Sequence, residues 1–524
     1  MTAASYVDLP RRRTIHCRAG RSKEIAIPVI GIDIGTGGSR AVVVGEDGRL
    51  LASSTVEHAP FASARAAWAE QDPHDWWRAA HGATRAAIET AGVSGRDLAG
   101  VGLSGQMHGA VLLDEAGTVL RPSIIWCDQR TDAECEWLDR TVGSERLLRL
   151  TLNPALTNFT LTKLLWVRTH EPDIWRRVRH VLLPKDYVRL RLSGEYAIDV
   201  ADASGTLMLD VARRQWSDEL LKAVDIDRRV LPAVFESPAV CARVTGEAAK
   251  LTGLAAGTPI VAGAGDQAAG AVGMGITRPG TVSATIGTSG VVFAATDRPA
   301  LDPRGRLHTF CHAIPGRWHV MGVTQAAGLS LRWVRDHWYG VAPSAASYDE
   351  LTREAAAVPP GADGVLWAPY LMGERTPHLD PHIRGALIGL AAHHGRGHIV
   401  RAVLEGVAFS LRDTFTIFSE LQIPVERIRL GGGGARSPLW RQIQADVYDH
   451  AVETVKADEG AAFGAAVLAG VGARIWSSVD EACDALVQTA ERITPNAAVA
   501  EKMNERYAAF TRVYPALKQV DVRS

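Results

Sequence analysis

A motif that occurs twice is the tightest constraint on how this chain can fold. The β-branched run Pro28–Ile34 stops at Gly35-Thr36-Gly37-Gly38, and an apolar run resumes at Ala41–Gly45. Far downstream, Thr281–Ile286 is followed by Gly287-Thr288-Ser289-Gly290 and by Val291–Ala295. Ile34–Gly38 reads IGTGG and Ile286–Gly290 reads IGTSG. Each unit is strand, glycine turn, strand, which predicts an antiparallel hairpin at both places. Repetition of the whole unit predicts a duplicated fold with two similar lobes.

The segments between and after these hairpins alternate in type. Asp72–Ala91 reads as a helix, with Asp72 as N-cap and Pro73 at the first helical position. Leu98–Leu103 and Ala110–Leu113 read as strands around the loop Ser104–Gly109, and Pro259–Ala264 as a strand ending at Gly265-Asp266. His398–Leu421 is a long amphipathic helix. Ile428–Leu430 is a strand that runs into Gly431-Gly432-Gly433-Gly434, followed by a helix from Pro438 to His450. This alternation predicts an α/β protein. Glycine and proline cluster at Gly273–Pro279, which predicts a first lobe over 29–273 and a second over 274–475, with a helical segment over 476–524. The basic stretch Met1–Pro28 carries six Arg and Lys without a following apolar core, and is expected to be a disordered extension.

Composition excludes several classes. Lys plus Arg is 57 and Asp plus Glu 58, so no broad nucleic-acid surface is expected. No run is long and apolar enough for a membrane span. The 6 cysteines form no C-x-x-C pair, which fits a reducing compartment, the cytoplasm, without a zinc or disulfide framework.

The glycine turns carry the chemistry. Glycines let backbone N–H groups approach phosphate oxygens, and Thr or Ser hydroxyls add donors. Two hairpins on facing lobes can clamp a nucleotide's phosphates, and Gly431–Gly434 leads into a helix N-terminus, which favours anions or a ribose edge. Neither a P-loop nor a dinucleotide fingerprint is present. Asp33 ends the first strand beside its turn, where a carboxylate suits hydrated Mg²⁺. Asp266, among small residues, is placed either to accept a proton from a sugar hydroxyl or to cap a helix. The loop Ser104-Gly105-Gln106-Met107-His108-Gly109 exposes groups that can read a polyol, and Trp126 can pack on a sugar face. Gly373-Glu374-Arg375-Thr376-Pro377-His378 reads as a lobe-closing or ion-pair element. His393, His394 and His398 read as a solvated loop, not a metal site.

Taken together, Asp33–Thr36, Trp68–Pro73, Gly102–Gly109, Trp126–Arg130, Thr162–Trp166, Leu183–Tyr187, Asp202–Thr206, Gly265–Gly270, Gly287–Gly290, Gly373–His378, Arg401–Gly406 and Gly431–Ser437 resemble the FGGY carbohydrate kinases from about Val29 to Gly472. The resemblance implies an actin-like ATPase fold: two ribonuclease-H-like lobes around a central cleft. It implies transfer of the ATP γ-phosphoryl group to a terminal sugar hydroxyl. Asp266 is then the catalytic base, Gln267, Met107 and His108 are sugar contacts, and Asp33 holds Mg²⁺. Thr36, Gly287 and Thr288 approach the phosphates. Gly433, Gly434 and Ser437 sit by the nucleotide, with Gly328 and Arg332 near the purine or ribose. The GQMHG and GERTPH segments point to D-xylulose, phosphorylated at its position-5 hydroxyl, over glycerol. The alternatives are another ketose or polyol (ribulose, glycerol, a sugar alcohol) and a non-catalytic sugar sensor. A small-molecule sugar and Mg·ATP are the implied partners, without nucleic acid or membrane, in a homodimer. Gln267 stands where some family members carry Asn, which lengthens the amide's reach by one methylene.

Overall fold

The computed structural model describes residues 27–65, 67–339, 345–456 and 460–520. The expected disordered extension lies outside the described residues, apart from its last two positions. The first hairpin forms as the glycine turn predicts. Strand β1 (Val29–Ile34) pairs antiparallel with β2 (Gly38–Val44), and β2 with β3 (Leu50–Glu57). The turn closes through Gly35 N–H donating to Gly38 O at 3.0 Å. On its other side β1 pairs parallel with β4 (Val101–Gly105). The sheet is completed by β5 (Val240–Arg243), β6 (Pro259–Val261) and the short β7 (Ala264–Gly265), in the order β5-β6-β4-β1-β2-β3 with β7 beside β4.

The second sheet repeats the plan. Strand β8 (Gly280–Ile286) pairs antiparallel with β9 (Gly290–Thr296) across the IGTSG turn, and parallel with a later strand. With β10 (His308–Cys311), β11 (Trp318–Thr324), β12 (Val425–Gly432), β13 (Val452–Val455) and β14 (Thr489–Ile493), the order is β10-β11-β9-β8-β12-β13-β14. In both sheets a hairpin meander is extended by parallel strands on the side of its first strand, so the duplication extends from the turn to the whole sheet.

Helix α1 (Pro73–Ala91) covers β2 and β3, and the Asp72 carboxylate caps it by accepting from His74 N–H at 2.9 Å. Helix α2 (Asp266–Gly273) leaves β7 directly. Helix α3 (Gly328–Trp338), α4 (Arg396–Glu420) and α5 (Pro438–Tyr448) build the second lobe around a core that includes Val403, Phe409 and Trp440.

Helix α6 (Gly460–Gly472) follows the second sheet in sequence yet lies on the first. A Cβ on Gly31 of β1 would fall 1.9 Å from Ala462 O, and one on Gly102 of β4 would fall 1.9 Å from Ala465 O. No side chain fits at either position, so helix and sheet meet backbone to backbone. Alanines on α6 give the same closeness from the helix side. Sequence periodicity shows only an apolar helix here, since it carries no information about which sheet the helix covers.

The segment 476–524 reads as helical but is not helical throughout: Thr489–Ile493 is the edge strand β14, antiparallel to β13. Val479–Leu486 packs under the first sheet through Ala482 and Cys483, whereas Ala497–Phe510 packs on α5. No helix of the described residues is long and apolar enough to cross a membrane. The five described cysteines are free.

Candidate active site

The register of the first sheet brings the two aspartates together. Asp33 on β1 pairs with Ser104 on β4, and Ser104 pairs on its other side with Ala264 of β7. Asp33 and Asp266 therefore leave the same end of three parallel strands, one on each side of β4. Asp266 is the first residue of α2, with Gly265 at the cap position. This corrects the helix-cap alternative: ladder bonding of β7 to β4 continues to Gly265, so the turn falls there and the Asp266 carboxylate is not used as a cap.

Electrostatics mark both groups. Burial raises the Asp33 carboxyl to about 6, against the lowering influence of the neighbouring Ser104 hydroxyl and the charge of Arg40. Burial, and secondarily the like charge of Asp33, raise Asp266 to about 7. Gln267 Nε2 donates to Asp266 Oδ1 at 3.3 Å. A carboxylate whose protonation balances near neutral pH suits a general base. Asp33 Oδ1 is buried without a hydrogen-bond partner among the described residues.

The GQMHG loop leaves the end of β4 beside them. The Met107 side chain packs against Gly265, where a Cβ would lie 2.8 Å from Met107 Cγ. His108 adopts φ 68°, a left-handed conformation rare for a residue with a side chain. The surroundings hold it there. Lys163 Nζ and Thr160 Oγ1 donate to His108 O at 2.9 and 3.1 Å. His108 Nδ1–H donates to Gly205 O at 2.6 Å. Burial and the charge of Lys163 keep this imidazole neutral, well below its ordinary pKa. Its Nδ1 carries the proton, so Nε2 offers a lone pair. Below the loop, Lys185 Nζ sits among Asp186, Asp199 and Asp202 at 2.5, 2.6 and 3.2 Å. The cation at the centre of that buried carboxylate cluster is the lysine itself.

Trp126 reaches the site, with its N–H committed. Its Nε1 donates to Thr36 Oγ1 at 2.9 Å, and Thr36 Oγ1 donates to Gln106 Oε1 at 3.4 Å. Gln106 in turn donates to Gln71 Oε1 at 2.8 Å. The relay commits the Trp126 N–H and leaves untouched the expectation that its ring face packs on a sugar; it also engages the Thr36 hydroxyl, so that any approach of Thr36 to phosphate falls to the backbone of its turn. Gln106 and Gln71 lie in segments that the sequence singles out, but their role in shaping the turn has no local signature.

In the second lobe the expected nucleotide residues converge. Gly287, Thr288, Gly328, Arg332, Gly433, Gly434 and Ser437 all line one cavity of about 340 Å³. Thr36 is not among its lining residues. The Ser437 hydroxyl is partly spent as the cap of α5, accepting from Trp440 N–H at 3.3 Å. A Cβ on Gly434 would meet Ile286 Cβ at 2.6 Å, whereas one on Gly433 would meet nothing nearer than Ile286 O at 3.8 Å. Gly433→Val therefore fills the cavity without disturbing the fold. Its expected effect is a rise of about tenfold or more in KM for ATP, with KM for sugar and thermal stability unchanged. Gly434→Val is expected to lower thermal stability instead, by overpacking.

The GERTPH segment links the lobes. Glu374 accepts from the backbone N–H groups of Gln325 and Arg375 at 2.9 Å each, and Thr376 N–H donates to Val323 O at 3.0 Å. Arg375 is carried into electrostatic range of Cys127, Lys163 and His108 of the first lobe. In the histidine loop the backbone fixes two of the three imidazoles. His394 and His398 use Nδ1 to accept from the N–H groups of Ala391 and Gly395, which puts the proton on Nε2 where a metal needs a lone pair.

A duplicated sheet, a glycine-lined cavity and a paired carboxylate site define a nucleotide-dependent phosphotransferase. The FGGY family of carbohydrate kinases matches through its N-terminal domain over residues 28–273 and its C-terminal domain over residues 282–473, and the chain belongs to that family. It is an ATP-dependent sugar kinase with the two-lobed actin-like fold. Among its relatives, xylulose kinase of Escherichia coli (strain K12) is 40% identical over 489 residues, 93% of this chain and 99% of that one. Xylulose kinase of Bacillus subtilis (strain 168) is 36% identical over 493 residues, 94% and 98% of the two chains. The crystal structure of xylulose kinase from Rhodospirillum rubrum matches with a TM-score of 0.86 at 34% identity, covering 94% of this chain and 99% of that one.

Proposed function

We propose that the chain phosphorylates D-xylulose at its position-5 hydroxyl, giving D-xylulose 5-phosphate and ADP. The pairing of Asp266 with the Met107-His108 loop at one end of the first sheet carries this reading, and the full-length similarity to xylulose kinases supports the choice of sugar. The sugar binds against Met107 and His108, with Gln267 beside the base. ATP occupies the glycine-lined cavity and points its γ-phosphoryl group toward the carboxylates. Asp266 accepts the hydroxyl proton as the oxygen attacks phosphorus, and ADP leaves. Phosphoryl transfer of this kind depends mainly on positioning and on charge stabilisation.

Asp33 fits Mg²⁺: a hard cation takes carboxylate oxygens, and Asp33 Oδ1 is a buried oxygen without a partner among the described residues. Mg²⁺ bound there would neutralise phosphate charge, and Asp33 would hold it without itself exchanging a proton with the sugar.

The same reading places the protein in the cytoplasm, supported by the five free cysteines among the described residues and its use of ATP, and as a homodimer, which sedimentation tests. Phosphorus NMR of the product decides the reaction. A primary phosphate ester at position 5 is expected, and an ester at position 1 would contradict the proposal.

A further inference from the structure

His308 lies on β10 in the second lobe, yet its ring packs on Phe159 of the first lobe, which also packs on His108 of the sugar loop. Phe159 meets His108 edge-on at 5.2 Å and His308 edge-on at 5.7 Å between ring centroids. Phe310 stacks on His308 at 5.7 Å and lies 6.3 Å from His108. The two imidazoles thus share the same pair of phenylalanines, one histidine from each lobe.

The proton on His308 can be placed from its partner. Asn153 Nδ2 donates to Thr151 O and Thr309 O, both at 2.8 Å, so its amide orientation is fixed. Asn153 Oδ1 then faces His308 Nδ1 at 3.2 Å and must accept. Burial keeps this imidazole neutral as well, pushed down to about 3. With Nδ1 protonated, Nε2 carries a lone pair, as at His108. Neither Nε2 has a hydrogen-bond partner among the described residues, and neither is sealed in the interior. The Arg375 guanidinium lies within electrostatic range of both rings.

We propose that His308 is a sugar-binding residue contributed by the second lobe, its Nε2 accepting a hydrogen bond from one sugar hydroxyl while Nε2 of His108 accepts from another. This rests on the sugar-kinase reading of the site. With both Nδ1–H groups committed, the two imidazoles offer only Nε2 acceptors, so each demands a hydroxyl donor, and the Arg375 guanidinium within electrostatic range supplies donors for a carbonyl oxygen. The pattern selects a polyhydroxy ketone and penalises an analogue that lacks either hydroxyl. It also makes the sugar site a property of both lobes together.

Three variants test it, assayed with whichever of D-xylulose, D-ribulose or glycerol the wild-type protein turns over fastest. The choice of substrate and the role of His308 then fail separately. His308→Asn keeps a donor for Asn153 and removes Nε2, His308→Phe keeps the ring, and His308→Gln returns an acceptor near the Nε2 position. The Asn and Phe variants are expected to raise KM for the sugar about 5- to 20-fold, with KM for ATP within about twofold of wild type. The Gln variant should recover most of that loss. One monodeoxy analogue of the sugar should bind the wild type and His308→Phe equally well. An unchanged sugar KM in a folded His308→Asn protein would overturn the proposal. So would equal losses for sugar and ATP, or failure of all three variants to fold, which would make His308 structural.

Discussion

Asp266→Asn will lower kcat by about 10²–10⁴-fold, the range spanned by a general base, while KM for the sugar stays within a few-fold of wild type. The amide retains the shape of the side chain and its contact with Gln267, and loses only the ability to take a proton. The same substitution is expected to stabilise the ligand-free fold above pH 7. The Asp266 carboxyl is raised from 3.8 to about 7 in the folded protein, so its favourable contribution is complete below pH 3.8 and disappears as pH rises through 7. An asparagine has no such loss. Thermal unfolding of the two proteins at pH 5 and pH 8 checks this: the variant's advantage should be larger at pH 8. A more active variant, or one that is less stable at pH 8, would remove Asp266 from the role assigned to it.

Asp33→Asn should cost about 10²-fold or more in kcat and demand more Mg²⁺ for half-maximal rate, because the amide replaces a charged ligand with a neutral one. A second readout separates metal binding from general disruption. Asp33 raises Asp266 by like-charge repulsion. With that charge gone, the Asp266 carboxyl ionises at lower pH. The acid limb of the residual kcat/KM profile should therefore move down in pH. An unchanged Mg²⁺ requirement together with an unmoved acid limb would contradict the placement of Asp33.

The site was legible in the sequence to the extent that backbone chemistry sets it. Glycine turns after β-branched runs announce hairpins, and the seven second-lobe residues expected at the nucleotide do line one cavity. Asp33 and Asp266 were separately visible as strand-terminal carboxylates. Their pairing was not, because it depends on β1 and β7 flanking β4 in register, and strand order is a long-range property. Trp126 was visible as an aromatic near the site, but its N–H partner, Thr36, lies 90 positions earlier. His308 escaped for a related reason. It belongs to the second lobe, and nothing local says that its side chain reaches the first, whereas Arg375 lies in the segment read as a lobe-closing or ion-pair element. Helix α6 shows the same limit in packing, since its small residues predict a close approach without naming the sheet approached.

ADP release with Mg·ATP, measured against D-xylulose, D- and L-ribulose, glycerol, xylitol, D-arabinitol and a blank without sugar, tests the central claim most directly. The account predicts a selective response to D-xylulose, abolished in Asp266→Asn. A stronger response to glycerol or a sugar alcohol would contradict the substrate assignment, and no sugar-dependent release from a folded, ATP-binding protein would contradict the kinase mechanism itself.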